Sequence, residues 1–331
     1  MTLHRTRHLA RFGAAIVAGL SILATAPALA ADAKWPSRPI TIVVPFPPGG
    51  MTDVVARRMA KDMQDALKQS VVVENRAGAS GQIGTEYVAR AAPDGYTLLV
   101  SATHHVINPA VRAKLPYDAS TGFTPLALLA TTPNLLVVNK DIPVSNIPEF
   151  IAYAKKQPGG LMFGSSSIGG ATHLSGEMLK LDAGIPMTHV PYKGASPALT
   201  DLLGGQIPAL FHDVMTMAPY VRDGRVKALG VTSSTRSAAL PDVPTIAEQG
   251  VPGYEAITWI GFYGPANLPA DVAERLNTLA RASVNSDAAR PWFKENGTDP
   301  GDMDQQQYAA FVANELAKWK NVVTRAGVKV E

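Results

Sequence analysis

Apolar positions along this chain recur with two alternating periods. Short β-branched runs at 40–44, 71–74, 97–100, 135–138, 161–164, 209–211 and 228–232 read as strands. Between them, runs with apolar residues three and four apart read as helices: 52–68, 83–92, 147–156, 172–181, 196–203 and 270–286. A last helix, 305–326, sets Tyr308, Val312, Leu316, Trp319 and Val323 on one stripe that is expected to dock on a sheet. Strand and helix in alternation predict an α/β protein with mostly parallel strands. Two longer apolar, β-branched stretches, 126–138 and 256–263, read as chain crossings between lobes. They divide the chain into a first lobe of 31–133 and 259–331 and a second lobe of 134–258.

The first residues have a different character. Arg5, Arg7 and Arg11 precede an apolar run at 12–24, too short to span a bilayer comfortably, and Ala28-Leu29-Ala30 forms a small-residue cleavage site. Residues 1–30 therefore read as a secretion signal, which predicts export. A membrane anchor fits less well, because the run breaks at Pro27 and Asp32 and Lys34 follow. Loss of the three arginines leaves 27 basic residues against 27 acidic ones, so the net charge of +3 belongs to the precursor. A balanced charge gives no support for nucleic acid or a membrane surface as partner. With no cysteine, disulfides, thiol chemistry and a lipid anchor on cysteine are excluded.

Candidate chemistry centres on two bends. PFPPGGMTD (45–53) joins a buried strand to a helix that Thr52 or Asp53 can cap, and it aims backbone N–H groups of Gly49, Gly50 and their neighbours at whatever lies above. A helix start carries roughly half a positive charge and is a socket for carboxylate or phosphate; an ordinary strand-to-helix turn is the plainer reading. LMFGSSSIGGATHL (161–174) repeats the logic, with hydroxyls at Ser165, Ser166, Ser167 and Thr172 beside Gly169-Gly170. Open α/β sheets bind ligands beyond the carboxyl ends of their strands, where both bends belong. Two such sockets facing each other across a cleft would hold an anion.

Other chemistries find less support. His104, His105, His173, His189 and His212 lack a metal-ligand spacing, so no metal is expected; His173 reads as packing beside the second socket, and His104 or His105 as a contact to a carboxylate. A serine hydrolase would need a G-x-S-x-G elbow, which is absent, and Ser165, Ser166 and Ser167 have no evident base. Phosphate-loop and dinucleotide fingerprints are also absent, so no cofactor is expected. Trp259 and Phe262 read as core rather than as a stacking platform, and Tyr192 and Lys193 as a structural turn.

Along nearly its whole length past the signal, the chain resembles the Bug-type periplasmic receptors of tripartite tricarboxylate transporters. The resemblance is carried by PFPPGGMTD, VVVENRAGASGQIG (71–84), APDGYTLL (92–99), INPAVRAKLPYD (107–118), HVPYKGASPALTDLLGGQI (189–207) and LPDVPTIAEQGVPGYE (240–255). It implies a two-lobed periplasmic binding protein of the clamshell type II, crossed twice at the hinge, that captures a small mono- or dicarboxylate and delivers it to membrane permease subunits. It implies a site built from Phe46, Gly49, Gly50, Thr52 and Asp53, from Ser101, Thr103 and His104, from Ser165, Ser166, Ser167, Gly170, Thr172 and His173, and from Asp213. It implies carboxylate held by backbone and hydroxyl donors, partly through water. The chain departs from relatives at Ser101-Ala102-Thr103-His104-His105, where many have Gly-Thr-His after a serine, and at His212 between Phe211 and Asp213. The expected receptor is a monomer without covalent chemistry. A periplasmic ester hydrolase on the same scaffold and a solute sensor for a signalling partner are the alternatives.

Overall fold

An unbroken apolar run makes a strand that must be covered on both faces, and Ile42, Val43 and Val44 are fully buried at the centre of such a layer. The computed structural model describes residues 35–192 and 194–330; the secretion signal expected at 1–30 and Lys193 lie outside the described residues. The elements are β1 (Ile40–Val44), α1 (Met51–Leu67), β2 (Val71–Asn75), α2 (Gln82–Ala89), β3 (Thr97–Ala102), α3 (His104–Val111), β4 (Phe123–Asn139), α4 (Ile147–Lys155), β5 (Leu161–Ser165), α5 (Ala171–Asp182), β6 (Met187–Pro191), α6 (Ala195–Leu203), β7 (Ala209–Asp213), α7 (Val214–Arg222), β8 (Val226–Val231), β9 (Ile257–Pro265), α8 (Ala270–Val284), α9 (Arg290–Glu295), β10 (Asp299–Pro300) and α10 (Gln305–Ala326).

The strands run in the order β2-β1-β3-β9-β4-β7-β5-β6, with β8 and β10 also paired to β4. Two halves repeat one plan. In the first, β1 lies parallel to β2 and β3, and β9 enters antiparallel between β3 and β4. In the second, β5 lies parallel to β6 and β7, and β4 enters antiparallel between β7 and β8. The sheet is thus mixed rather than mostly parallel, because the strands that pass between the halves run against their neighbours.

The long strand β4 makes the first passage. From Phe123 to Pro133 it pairs with β9, and from Asn134 it pairs with β7 and β8. The return runs from Thr232, whose carbonyl accepts the Ala256 N–H at 2.9 Å, into β9. This is the two-lobed binding-protein fold, in which β4 and β9 pass between the halves. The apolar stripe of α1, with Val55, Met59 and Met63, packs with β1, β3 and α8 in the first half, and Leu135, Leu210, Val214 and Met217 build the core of the second.

Helix α10 packs against α3, α5 and β4, so it straddles both halves instead of lying on a sheet alone. Its buried Glu315 accepts the indole N–H groups of Trp259 and Trp319, each at 2.9 Å. Trp259 is a fully buried core residue on the returning strand.

Candidate functional site

Four helices begin at one cavity of about 330 Å³. Met51 is the first residue of α1, Thr103 and His104 begin α3, Ala171 and Thr172 begin α5, and Asp213, Met215 and Thr216 begin α7; all of them line it. Ser166 and Ser167 close one side, and Thr132, Asn134 and Thr258 from the crossing strands form its floor. A neighbouring recess of about 300 Å³, sharing His104, is lined by Phe46, Gly50, Thr52 and Asp53. A larger open depression of about 560 Å³ beside α2 lies away from these helix starts. Its charged groups are paired, Arg90 with Glu86 and Arg76 with Glu74, and Arg76 covers the Tyr87 ring.

The helix starts differ in how they are capped. Gly50, Thr103 and Gly170 occupy the capping positions of α1, α3 and α5, and none supplies a side-chain cap. Their first N–H groups therefore need an outside acceptor. Helix α7 is already served: Asp213 accepts the Thr216 N–H at 2.7 Å and the Thr216 hydroxyl at 3.0 Å. Burial raises the Asp213 carboxyl, but the hydrogen bonds from His212 and Thr216 outweigh it and hold the group below its usual value. The His212 Nδ1 lies 2.6 Å from Asp213 Oδ2 and 2.9 Å from the Asp213 N–H. One nitrogen cannot donate to the first and accept from the second, and the shorter contact to a carboxylate assigns the proton to Nδ1.

At the first bend, neither Thr52 nor Asp53 caps α1. Asp53 sits three residues into the helix and its carboxylate is turned to the protein, accepting from Gly49 N–H (2.9 Å), Arg57 (2.9 Å) and Asn75 (2.8 Å). Burial acts to raise its pKa, and these donors hold it below the usual carboxylate value. Gly49 has φ +88°, a conformation that glycine adopts without strain, and this lets its N–H turn back to Asp53. Asp53 thus braces the bend and leaves the α1 start open to the main cavity, which Met51 lines, and to the adjoining recess.

At the second bend, a Cβ on Gly170 would stand 2.2 Å from Ser167 Oγ, so only glycine leaves that hydroxyl its place. The same Cβ position is 3.8 Å from His104 Nε2, which brings the α3 and α5 starts face to face. Ser166 and Thr172 hydroxyls lie 3.2 Å apart. His104, tilted against the Phe46 ring at 5.3 Å, has its pKa lowered to about 4 by burial, with Arg112 adding to the effect. The ring is neutral at neutral pH, so it meets a ligand as a hydrogen-bonding group and not as a cation.

Of the sequence-derived residues, Thr103, His104, Ser166, Ser167, Thr172 and Asp213 share the main cavity, and Phe46, Gly50, Thr52 and Asp53 line the adjoining recess. Gly49, Ser101, Ser165, Gly170 and His173 line neither and support from behind. Ser101 is buried in β3 opposite Gly261. His173 Nδ1 accepts the Gly169 N–H at 3.0 Å, and its ring stacks on His189 at 3.6 Å. His105 is buried against Phe123 and Tyr263, away from the cavity.

Ser165 has a histidine partner that sequence spacing did not reveal. Its Oγ lies 2.7 Å from His189 Nε2 and donates to the Ser167 carbonyl at 2.9 Å. The parallel register of β5 and β6, which sets Phe163 against His189, makes the pair. Ser165 is fully buried, and burial followed by His173 lowers the His189 pKa to about 3, so the imidazole is a weak base beside an inaccessible hydroxyl. The pair fastens the serine loop.

Sequence reasoning missed Met51, Thr132, Asn134, Ala171, Met215, Thr216 and Thr258 as lining residues. A signal existed for some: Thr132, Asn134 and Thr258 are polar positions inside otherwise apolar crossings, and Thr216 follows Asp213 at the cap-to-third-residue spacing.

Residues 55–328 match the family model described as tripartite tricarboxylate transporter family receptor. Protein BugT of Bordetella pertussis is 36% identical over 299 residues, covering 90% of this chain and 92% of its own. Among solved structures, R. palustris Rpa4515 with adipate is similar at 38% identity and a TM-score of 0.77, covering 89% of this chain and 99% of that one. MatC from Rhodopseudomonas palustris with bound malate follows at 32% identity and 0.72, covering 87% and 99%. A match over most of the length makes this chain a member of the Bug-type tripartite tricarboxylate transporter receptor family.

Proposed function

We propose that this chain is an exported receptor that captures a small organic carboxylate in the cavity of about 330 Å³ and hands it to the membrane permease subunits of a tripartite tricarboxylate transporter. The observation that carries the reading is the convergence of three helix starts, α1, α3 and α5, without side-chain caps on one cavity. A carboxylate there serves as the missing acceptor, with hydroxyls of Ser166, Ser167 and Thr172 beside it; the Thr103 hydroxyl is taken up by the Trp259 backbone. Hydrogen bonds to a charged group contribute about 1.5 to 3 kcal/mol each and a helix start a few tenths to about 2 kcal/mol. Four or five such donors offset desolvation and reach the roughly 8 kcal/mol of micromolar binding. The adipate and malate of the similar structures support the same ligand class.

The lobes of this reading are 31–133 with 259–331, and 134–258, and they close about Pro133-Asn134 and Thr258-Trp259. The receptor works as a single copy in the periplasm and performs no covalent step. Ester hydrolysis is disfavoured by the burial of Ser165. A thermal-shift screen of mono- and dicarboxylates tests the proposal. A ligand at a hundred times its Kd stabilises the folded state by about 2.7 kcal/mol, so at least one acid is expected to raise Tm by several degrees. No shift with any acid at 10 mM would overturn it.

A further inference from the structure

After α10 the chain alternates apolar and polar as Val328, Lys329, Val330, and the structure follows that alternation. The two valines are half-buried against the core, while Lys329 is exposed. Gly327, with φ +67°, ends α10 in the left-handed conformation that lets the chain leave the helix axis. The Val330 N–H then donates to the Val111 carbonyl at 2.9 Å. Val111 is the last residue of α3, whose final carbonyls have no partner within the helix, so the tail completes that end. On its other side the tail meets the serine loop: a Cβ on Gly169 would stand 2.7 Å from Val330 Cγ2 and 3.4 Å from Val111 Cγ2. Gly169 immediately precedes Gly170 at the head of α5, and its N–H is held by His173 Nδ1 at 3.0 Å. Three segments therefore meet at one point: the end of α3, the loop leading into α5, and the tail.

Contacts along α10 establish which half carries the tail. Glu315 accepts the indole N–H of Trp259 in β9, and Val330 is bonded to Val111, so helix and tail are fastened to the first half. Links to the second half are looser. They are the packing of α10 on α5, an Arg325–Asp182 pair at 3.5 Å with Arg325 half exposed, and the contact of Val330 with Gly169. An exposed ion pair contributes little, which leaves the apolar contacts. Resting on the two-lobed receptor reading above, we infer that residues 328–330 are a strap on lobe closure: carried by the first lobe, the tail closes on the serine loop of the second and holds the α3 and α5 starts together across the cavity. Parting the lobes returns the Val330 side chain to water, and closing them covers it again. The strap thus favours the closed state alone. Apparent affinity follows, because the apparent Kd is the intrinsic constant divided by the closed fraction. Val330 does not line the cavity and acts as a positioning residue.

The test is Val330→Asp, which keeps the backbone N–H for Val111 and sets a carboxylate against Gly169. Calorimetry uses the mono- or dicarboxylate that gives wild type its largest thermal shift, and small-angle X-ray scattering compares the ligand-free proteins. Val330→Asp is expected to bind at least fivefold more weakly and to have a larger ligand-free radius of gyration than wild type. Val330→Ile keeps the apolar contact and is expected to bind within twofold of wild type. If Val330→Asp folds poorly, Val330→Ala is expected to move both readouts in the same direction, with at least twofold weaker binding. An unchanged affinity or an unchanged radius in the folded variant overturns the strap; weaker binding at an unchanged radius would mark a tail that is merely structural. Failure of wild type to bind any of the acids overturns the receptor reading instead, and the ligand-free radius still decides the strap.

Discussion

Giving α1 its own cap separates ligand binding from folding. Gly50 holds the capping position with φ −77° and ψ 166°, an extended conformation open to any residue, and a Cβ there meets nothing within 4 Å. Gly50→Asp places a carboxylate where it accepts the N–H groups at the second or third residue of α1, the donors assigned to the ligand. Asp in place of Gly at a cap is worth a few tenths of a kcal/mol, partly offset by Asp53 in the same turn, so apo Tm is expected to stay within about 2 °C of wild type. The ligand loses at least one charge-assisted bond, about 1.5 to 3 kcal/mol, and meets a negative neighbour. A net loss of about 2 kcal/mol corresponds to roughly 30-fold weaker binding. Gly50→Ala controls for bulk and is expected to bind within about threefold of wild type. Calorimetry with the acid giving the largest wild-type shift, beside a thermal melt of each apo protein, reads both quantities. Tight binding by Gly50→Asp would show that the α1 start does not receive the carboxylate, whereas parallel loss of Tm and affinity would mean that the bend itself was damaged.

Further substitutions sort the remaining residues. Ser166→Ala and Thr172→Ala each remove a hydroxyl at the cavity and are expected to weaken binding by about 1 to 2 kcal/mol, seen by calorimetry, with apo Tm nearly unchanged. Asp53→Ala strips the partners of Gly49, Arg57 and Asn75 and is expected to lower apo stability by about 1 to 3 kcal/mol, read in a denaturant melt. His105, whose pKa burial lowers to about 4, binds fewer protons folded than unfolded between about pH 4 and the ordinary value near 6.5. Its contribution is therefore complete above about pH 6.5 and fades as pH falls towards 4, by up to about 2 kcal/mol between pH 7 and 5. Apo Tm should drop over that range, and His105→Phe should make the drop shallower; an equal slope in the variant would refute the assignment.

Local chemistry made much of this protein legible in its sequence. The α1 and α5 starts were readable because glycine and proline punctuate the chain where a strand's alternation gives way to a helix's three-and-four spacing, and both signals lie within one short window. The long strands β4 and β9 were readable because most of each is apolar or β-branched, although Thr131-Thr132-Pro133-Asn134 interrupts the run in β4. Helix α3 was not, since Pro109 sits inside it and its first residues, His104 and His105, carry no capping signal. Helix α7 was hidden too, because Pro219 interrupts its pattern and its cap, Asp213, reads equally well as a free ligand group.

Tertiary structure alone decided what shares the cavity. Pairing of β4 with β9 brings Thr132 and Asn134 beside Thr258, more than a hundred residues away in sequence. Register between β5 and β6 supplies His189 to Ser165 and turns a hydroxyl that looked like a ligand donor into a buried fastening. The charge that Asp53 and Asp213 present likewise depends on which donors the fold packs around each carboxylate. Residue order determines the individual helix starts through short-range sterics, whereas their convergence and their capping follow from long-range strand pairing, which no local window contains.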